Sequence, residues 1–405
     1  MNQRDLLIIG GGPAGAAAAI VAARAGARVT LFEKGPHGRD KVCGDGLTPR
    51  AVKALDDLGI DLAPAHRTEG VRMIAFNSTR ELSWPSGGRF PSHGAVWPRH
   101  RFDTHLIDVA IASGADVRFE TEALPELEGG RVVGVRAGGE QWRAPLTILA
   151  AGAQGAAAKI LGAERDPDEP FGLAIRAYAP SPRHADRHLE ARLSLRDEHG
   201  TPVPGYGWLF PAGDGTVNIG VGVLSSARDF KGTNVAHLLD VFVEQIADRW
   251  QIEPSEATGR VRVARIPMGG SVQPTAGPTF LVVGDAAGVA SPFTGAGIDA
   301  AYETGRMAAD VVHRALAEAG PTALQGFPRQ MADIYAEQYQ LARLWGRLLG
   351  RPAVMSRVAG AAVRSGAVGD TLLRIMSGSL RHDEFGTPET VARLATTVLT
   401  VAPEA

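Results

Sequence analysis

Residues Leu6–Ile20 read LLIIGGGPAGAAAAI, an apolar run followed by three consecutive glycines and an alanine-rich stretch. The apolar run predicts a β-strand and the alanine-rich stretch a helix. Between them Gly10, Gly12 and Gly15 form the spacing G-x-G-x-x-G, which in this context is typical of dinucleotide binding. The first glycine allows a sharp turn, the second lets the backbone approach a pyrophosphate, and the third lets helix and strand pack closely. The helix N-terminus then attracts the anionic phosphates.

The end of the next predicted strand narrows the choice of dinucleotide. Glu33 closes the run Arg28–Phe32 and lies 18 residues after Gly15. A carboxylate here is placed to accept hydrogen bonds from the adenosine ribose hydroxyls, and its negative charge disfavours a 2′-phosphate. The sequence therefore favours FAD or NAD over NADP.

A second glycine segment far downstream distinguishes between these two. Residues Val282–Gly288 read VVGDAAG, again a strand that ends in a Gly-Asp turn, where Asp285 is placed to bond a ribityl chain. Residues Gly295–Asp299, GAGID, then open a helix. Its free N–H groups are expected to face the flavin pyrimidine edge and to stabilise the anion formed on reduction. A nicotinamide carrier needs no such second cradle, so the expected cofactor is FAD.

The composition excludes several other classes of protein. The chain has 405 residues, 42 Lys+Arg against 44 Asp+Glu, a formal charge of −2 and one cysteine, Cys43. This charge gives no electrostatic basis for a nucleic-acid partner. One cysteine excludes an internal disulfide, a cysteine-ligated iron–sulfur cluster and a cysteine-rich zinc site. His184, Asp186 and His188 lie in a Pro/Arg-rich connection and are expected to be solvated, with no metal. We expect a cytoplasmic protein without a transmembrane helix.

Four separated segments together resemble the geranylgeranyl reductase family of flavoproteins, which share the FAD fold of the aromatic hydroxylases. Two of them are the cofactor segments above. The third is Lys41–Leu47, KVCGDGL, and the fourth is Tyr206–Pro211, YGWLFP, followed by Gly220 and Gly222. The fourth is similar to that family's Y-x-W-x-F-P…G-x-G signature. The longer run CGDGLTPR at 43–50 is most similar to the menaquinone reductases, which saturate one isoprene unit of a quinone tail.

The resemblance implies an α/β fold with a Rossmann-like FAD-binding domain of the aromatic-hydroxylase type, an inserted antiparallel-sheet substrate domain and a helical C-terminus. The alternating apolar pattern of the middle of the chain and the helical period of its last quarter agree with this division. The expected domains are residues 1–65, 92–160 and 265–320 for FAD binding, residues 66–91 and 161–264 for the substrate, and residues 321–405 for the helical region.

The motifs and the resemblance together give a set of expected cofactor contacts. They are Gly10, Gly12, Pro13, Ala14, Gly15, Glu33, Lys34, Cys43, Gly44, Gly46, Arg99, Ala123, Gly284, Asp285, Gly295, Gly297 and Ile298. One segment departs from the wider hydroxylase-like group, because Ala151-Gly152 replaces the usual Asp-Gly and Gln154-Gly155 stand where Arg and Ser are common. A polar contact near the cofactor is missing there, and direct use of NADPH stays open.

The aromatic signature predicts where a substrate lies. Side chains alternate along a strand, so Tyr206, Trp208 and Phe210 are expected on one face. The returning strand places Gly220 and Gly222 on a common face, where no side chain occupies space. An aromatic wall beside a glycine gap predicts a slot that buries a flat, apolar isoprenoid tail over the flavin. These five residues are the expected substrate-binding set, and the alternative is that the aromatics only fill the core.

The predicted chemistry needs a hydride and a proton on adjacent carbons of an isolated alkene. Reduced flavin supplies the hydride, and aromatic faces such as that of Trp208 stabilise cation character in the alkene. Cys43, between glycines near the flavin, is a candidate gate or proton source, and Tyr206 is a second candidate. Cys43, Tyr206 and Trp208 are therefore the expected catalytic residues, with a water as donor and a purely structural thiol as the alternatives.

Three functions stay open on the sequence alone. The first is an FAD-dependent reductase of isoprenoid double bonds, acting on a menaquinone tail or a geranylgeranyl group. The second is a flavin-dependent monooxygenase or halogenase on the same fold, and the third is a flavin electron carrier that docks on a quinone pool. Ferredoxin, NAD(P)H and a reduced quinone are the candidate electron donors. Five C-terminal arginines either pack or form a basic surface for peripheral membrane contact: Arg343, Arg347, Arg351, Arg357 and Arg364.

Overall fold

The computed structural model describes residues 2–86, 88–153, 155–227, 230–257 and 263–377. Within these residues the strands are β1 (Asn2–Gln3), β2 (Leu6–Ile9), β3 (Val29–Phe32), β4 (Gly46–Leu47), β5 (His66–Thr68), β6 (Gly70–Ala75), β7 (Ser78–Ser83), β8 (Gly94–Val96), β9 (Asp116–Arg118), β10 (Ala123–Glu128), β11 (Arg131–Ala137), β12 (Glu140–Arg143), β13 (Leu146–Leu149), β14 (Glu164–Arg165), β15 (Phe171–Pro180), β16 (His188–Arg192), β17 (Gly205–Pro211), β18 (Thr216–Leu224), β19 (Ala264–Pro267), β20 (Val272–Gln273) and β21 (Phe280–Val282). The α-helices are α1 (Pro13–Arg24), α2 (Pro49–Asp56), α3 (Arg99–Ala112), α4 (Ala156–Ile160), α5 (Val235–Trp250), α6 (Ile298–Arg314), α7 (Phe327–Leu349), α8 (Pro352–Arg364) and α9 (Gly366–Met376).

A five-stranded parallel sheet carries the first glycine segment. Its strand order is β9-β3-β2-β13-β21, and every neighbouring pair is parallel. Strands β2 and β3 are buried at every position, as expected for a sheet covered on both faces. Helix α1 connects these two strands and packs against α3 and α6. The predicted βαβ unit is therefore present, with the glycine turn between β2 and α1.

A second, seven-stranded sheet lies beside the first and has the order β7-β6-β16-β17-β18-β15-β19. All of its pairs are antiparallel except β6 with β16. Helix α5, which was not predicted from the sequence, covers one face. There Gly207 leaves room for the Phe242 ring, because a Cβ at Gly207 would lie 2.3 Å from Cζ of that ring. The opposite face of the sheet is left for the cavity described below.

The C-terminal part of the described chain is helical. Helix α8 packs on β6 and β7 through buried residues such as Val358 and Val363, and Arg80 donates to the backbone oxygens of Val363 and Arg364. No helix within the described residues combines the length and the apolar character needed to cross a bilayer. Residues 378–405 of the predicted helical region lie outside the described residues. The domain boundaries stay a prediction.

A glycine in α6 provides a test of the packing that supports the glycine turn. A Cβ at Gly305 would lie 2.0 Å from the backbone oxygen of Ala14 in α1, so Gly305→Ala forces the two helices apart. We expect this variant to be destabilised by about 1–3 kcal/mol, the usual cost of overpacking. The measurement is the thermal unfolding midpoint. Gly366→Ala is the matched control, because the nearest atom to a Cβ there is 3.7 Å away at the start of α9. Equal midpoints for the two variants would contradict the packing described.

Candidate active site

One cavity of about 450 Å³ is lined by residues from the parallel-sheet side and from the seven-stranded sheet. On the side of the parallel sheet it is bordered by the turn at 12–14, the loop at 41–46 and the segments 284–285 and 293–299. Its other side is one face of the seven-stranded sheet. The predicted residues that border it are Gly12, Pro13, Ala14, Cys43, Gly44, Gly46, Arg99, Tyr206, Trp208, Phe210, Gly222, Gly284, Asp285, Gly295, Gly297 and Ile298.

The glycine turn after β2 shows a separate reason for each motif glycine. Gly10 has φ +107°, a backbone conformation that favours glycine, and a Cβ on it would lie 2.4 Å from the oxygen of Ala150. A Cβ on Gly15 would lie 1.9 Å from the oxygen of Gly10. Gly12 differs, because its Cβ would meet only guanidinium nitrogens of Arg39 and Arg99 at 3.8 and 4.0 Å. Gly10 and Gly15 therefore shape the turn, whereas Gly12 faces open space beside two cations.

This open space fits the pyrophosphate of FAD. Helix α1 begins at Pro13 after an N-cap, Gly12, that supplies no side-chain hydrogen bond, so its first N–H groups are available for an anion. Arg99 is buried and held by Asp103 through two hydrogen bonds of 2.6 and 2.7 Å. Arg39 pairs with the same carboxylate at 3.2 Å. The two guanidinium groups are thus fixed in place beside the turn.

Glu33 lies next to the turn as predicted and is buried. Its carboxylate accepts hydrogen bonds from the N–H groups of Gly11 at 2.9 Å and Gly35 at 2.8 Å, and pairs with Arg39 at 3.0 Å. These contacts hold the carboxylate at the edge of the turn. We keep its contact with an adenosine ribose as a proposal.

The second cofactor segment contributes a charged pair and a helix N-terminus. Lys41 Nζ lies 2.8 Å from Asp285 Oδ2, which joins the loop at 41–46 to the turn after β21. Burial favours the neutral form of Asp285, but the Lys41 ammonium and the Arg99 guanidinium together outweigh it and lower the pKa of this carboxyl below its usual value. Helix α6 begins at Ile298 after Gly297, which also has no side chain to cap the helix. The free N–H groups of α6 border the cavity and fit the electron-rich edge of a flavin.

The floor of the cavity is apolar and crosses six strands of the large sheet. Neighbouring residues in register share a face, and the floor residues are in register from one strand to the next. From the edge inward they are Ala264 and Ile266 on β19, Gly172 and Ala174 on β15, Gly222 and Leu224 on β18, Tyr206, Trp208 and Phe210 on β17, Leu189 and Ala191 on β16, and Val71 on β6. Met355 from α8 and Met376 from α9 also line the cavity.

The three aromatic residues of β17 lie on one face, as predicted. Ring centroids of Tyr206 and Trp208 are 5.9 Å apart, and those of Trp208 and Phe210 are 6.4 Å apart. The expected gap above Gly220 is filled, however, because a Cβ there would lie 2.1 Å from the Trp208 indole. Gly220 therefore makes room for Trp208 rather than for a ligand, and of the two glycines only Gly222 borders the cavity.

The loop that carries Cys43 lies directly against this wall. Cβ atoms on Gly44 and Gly46 would lie 3.0 and 3.1 Å from the Phe210 ring, so any larger residue here would push the loop and the ring apart by a few tenths of an ångström. Cys43 is half-buried, and burial raises the pKa of its thiol. The sulfur therefore keeps its proton at neutral pH. Burial likewise raises the pKa of Tyr206 to about 12, and this hydroxyl differs from the thiol in already donating its proton to the Thr294 backbone oxygen at 2.7 Å.

The sequence did not indicate that this loop carries a buried polar group, Asp45. The Asp45 carboxylate has no exposed surface and accepts hydrogen bonds from the Tyr178 hydroxyl, from Asn218 Nδ2 at 2.6 Å and from the Arg99 N–H at 3.2 Å. Burial raises the pKa of Asp45 to about 6, and the hydrogen bonds from Tyr178 and Asn218 act in the opposite direction. The register of the β17–β18 hairpin could have indicated Asn218, because this residue pairs with Phe210 of the aromatic signature.

Other predicted residues lie away from the cavity. Lys34 is exposed, and Ala123 is buried at the start of β10, where it pairs with Ala137. Neither borders the cavity. Gln154 lies outside the described residues. Asp186, which stands between the two histidines of the Pro/Arg-rich connection, is paired with Arg72 and Arg183.

Comparison with known proteins identifies the family. The family model described as FAD binding domain matches residues 3–333, so the chain belongs to this family. This confirms FAD as the expected cofactor and confirms the predicted class, an α/β fold of the aromatic-hydroxylase type with an antiparallel sheet and a helical C-terminus.

Two curated relatives carry the resemblance further. The menaquinone reductase of Mycolicibacterium smegmatis is 36% identical over 391 residues, which cover 95% of this chain and 94% of that protein. Digeranylgeranylglycerophospholipid reductase 1 of Methanopyrus kandleri is 31% identical over 83% of this chain and 87% of its own length. The predicted kinship with geranylgeranyl and menaquinone reductases is therefore confirmed. The chain is an FAD-dependent oxidoreductase.

A solved structure supports the fold alone. The geranylgeranyl bacteriochlorophyll reductase-like protein of Thermoplasma acidophilum has a TM-score of 0.77 at 22% sequence identity, over 98% of this chain and all of that one.

Two alanine substitutions separate cofactor binding from folding in the glycine turn. Gly12→Ala places a methyl group in the space assigned to the pyrophosphate without a clash, since the nearest protein atom is 3.8 Å away, so we expect an unchanged unfolding midpoint for the protein without cofactor. Its dissociation constant for FAD should rise at least about tenfold, which corresponds to about 1.4 kcal/mol. Gly15→Ala is the matched variant and should lower the unfolding midpoint itself. FAD titration by fluorescence and thermal unfolding measure the two effects, and normal FAD affinity in Gly12→Ala would reject the assignment.

Proposed function

We propose that this enzyme saturates isoprenoid carbon–carbon double bonds of a polyprenyl-bearing substrate, either a menaquinone tail or a geranylgeranyl group. The observation that carries the proposal is the continuity of one cavity. Its side at Gly12 and Asp285 suits FAD, and its opposite side is the apolar floor of the large sheet. A long apolar substrate lying on that floor is held against the cofactor site by the same cavity.

The dimensions of the floor suit a polyprenyl chain rather than a small aromatic substrate. The lining crosses six neighbouring strands, which at about 4.8 Å per step extends it over about 24 Å. Burial stabilises an apolar chain along all of this length. At about 0.8 kcal/mol per CH₂ group, one five-carbon unit contributes about 4 kcal/mol before entropic costs.

The chain's own residues can assist the reaction in two ways. The Cys43 thiol keeps its proton at neutral pH and borders the cavity, so it is placed to hand a proton to one alkene carbon. The π faces of Tyr206 and Trp208 also border the cavity and stabilise the positive charge that develops at the neighbouring carbon. When bound and reduced, FAD supplies the hydride that completes the saturation. The apolar lining excludes water, which protects the developing cation from hydration.

The electron donor and the membrane contact are proposed as classes, without a named partner. Ferredoxin, NAD(P)H and a reduced quinone stay as candidate electron donors. Peripheral membrane contact is supported by Met355, which lines the cavity from the first turn of α8, and by Arg351, the exposed N-cap residue directly before that helix. A cation near a residue that lines the apolar cavity suits contact with an anionic bilayer surface.

The decisive experiment is anaerobic turnover with dithionite-reduced enzyme and a prenylated lipid, followed by mass spectrometry. We expect a mass gain of two hydrogens for each bond reduced. An absolute requirement for O₂ would favour the monooxygenase or halogenase alternative. Cofactor oxidation by a quinone with no saturated lipid would favour the electron carrier.

A substitution in the aromatic wall tests whether Trp208 assists the proposed reaction. Trp208→Leu keeps apolar bulk but removes the indole face, so we expect lipid saturation to fall about 30-fold, equivalent to about 2 kcal/mol of transition-state stabilisation. FAD content and the rate of reduction by dithionite should not change. Trp142→Leu is the control, because this indole is equally buried but lies in the four-stranded sheet away from the cavity. Equal losses in both variants would mean that the effect comes from general destabilisation.

A further inference from the structure

Asn218 uses every hydrogen-bonding group of its side chain to connect the two sides of the cavity. Its Oδ1 accepts from Trp208 Nε1 at 2.9 Å. Its Nδ2 donates to the backbone oxygen of Cys43 at 2.8 Å and to Asp45 Oδ2 at 2.6 Å. The side chain has no exposed surface. One neutral amide thus contacts the aromatic wall and the cysteine loop at once.

We propose that Asn218 is a positioning residue for the reaction, which clamps the Cys43 loop to the Trp208 indole, and that the Asp45 carboxylate fixes the orientation of this clamp. The inference rests on the proposed function, since it assigns to the clamp the task of holding a proton-bearing thiol and an aromatic face at a set separation. An alkene between them then meets both groups together.

Only an amide can make these contacts in this place. The indole N–H needs an acceptor, whereas the Cys43 oxygen and the Asp45 carboxylate both need donors. A carboxylate at position 218 lacks the donors and would face Asp45 as a like charge. An apolar side chain would leave the Trp208 indole N–H and the Cys43 backbone oxygen without partners, each costing about 1–3 kcal/mol, and would take one of its donors from Asp45.

The loop itself explains why directional bonds are needed. Gly44 and Gly46 flank Asp45, and glycine restricts the backbone less than any other residue. Asp45 itself has φ +64°, a conformation that side-chain-bearing residues adopt at some cost. Contact with the Phe210 ring alone is non-directional and lets such a loop slide. The hydrogen bonds of Asn218 to Cys43 and Asp45, together with those of Tyr178 and Arg99 to Asp45, therefore fix where the thiol lies.

Because Cys43 is the only cysteine, its reactivity reports the clamp directly. Asn218→Asp should free the loop and raise the rate of Cys43 alkylation by a small maleimide at least about tenfold in FAD-loaded protein, the equivalent of about 1.4 kcal/mol. Asn234→Asp is the matched control. Asn234 caps α5 by accepting from two backbone N–H groups, which aspartate also does, and it lies outside the cavity.

A second variant keeps the inference testable if Asn218→Asp does not fold. In Asp45→Asn the three donors that converge on the carboxylate can no longer all be accepted, so alkylation should again rise. With lipid substrate, kcat should fall more than tenfold while KM changes little, because the apolar floor is intact. A structural role alone predicts a lower unfolding midpoint without this split between kcat and KM.

The pH profile gives an independent readout. The charged and titratable groups that face Asp45 are Tyr178 and Arg176 from β15, Arg99 from α3 and Cys43 from its own loop. Burial raises the pKa values of Tyr178 and Cys43, so Asp45 is the group of this cluster that titrates near pH 6. Protonation removes an acceptor, and wild-type kcat should fall as the pH drops through about 6. This inflection should be absent in Asp45→Asn.

The outcomes distinguish the clamp from the proposed function. Unchanged Cys43 alkylation in folded Asn218→Asp and Asp45→Asn would overturn the clamp, whatever the substrate is. Increased alkylation in protein that saturates no isoprenoid lipid would keep the loop contact and reject the proposed function, and with it the catalytic task given to the clamp.

Discussion

The close contact between the Cys43 loop and the aromatic face of the large sheet is the constraint on which the site depends. A Cβ at Gly44 would lie 3.2 Å from Trp208 Nε1 as well as touching the Phe210 ring, so the two surfaces meet with no side chain between them. The loop at 41–46 and the aromatic residues of β17 line the same cavity, so the side that suits FAD lies next to the apolar floor.

The charges at the cofactor side are arranged so that they do not repel the anionic pyrophosphate. Glu33, Asp103 and Asp285 all lie near the space assigned to FAD, and each is paired with a cation. Pairing neutralises these carboxylates, so their field on the pyrophosphate is small. The N–H groups at the starts of α1 and α6 then supply the attraction for electron-rich parts of the cofactor. Lys41 also connects the loop to the turn after β21, so charge pairing and loop position are coupled.

The sequence predicts the parts of this site that are local and misses those that depend on contacts between distant segments. Strand, glycine turn and helix follow one another within Leu6–Ile20, and the alternation in Tyr206–Pro211 defines the aromatic face, so both could be identified. The link from Asn218 to Asp45 joins residues 173 positions apart and has no motif of its own. The space above Gly220 was misjudged for a related reason, since a rotamer of Trp208 decides whether a glycine gap is open. Periodicity predicts which face of the sheet a side chain occupies, but not which rotamer it adopts on that face.

The presence of a buried carboxylate beside an apolar cavity is itself informative. Removing Asp45 from water favours its neutral form, as its raised pKa shows, and apolar packing alone would avoid this cost. Apolar packing, however, leaves the backbone oxygen of Cys43 and the indole N–H of Trp208 without defined partners. A network in which every donor meets an acceptor specifies a single arrangement, whereas hydrophobic contact tolerates many. For chemistry in which a proton and a hydride must reach adjacent carbons of an otherwise featureless chain, that single arrangement is what an apolar cavity cannot provide by shape alone.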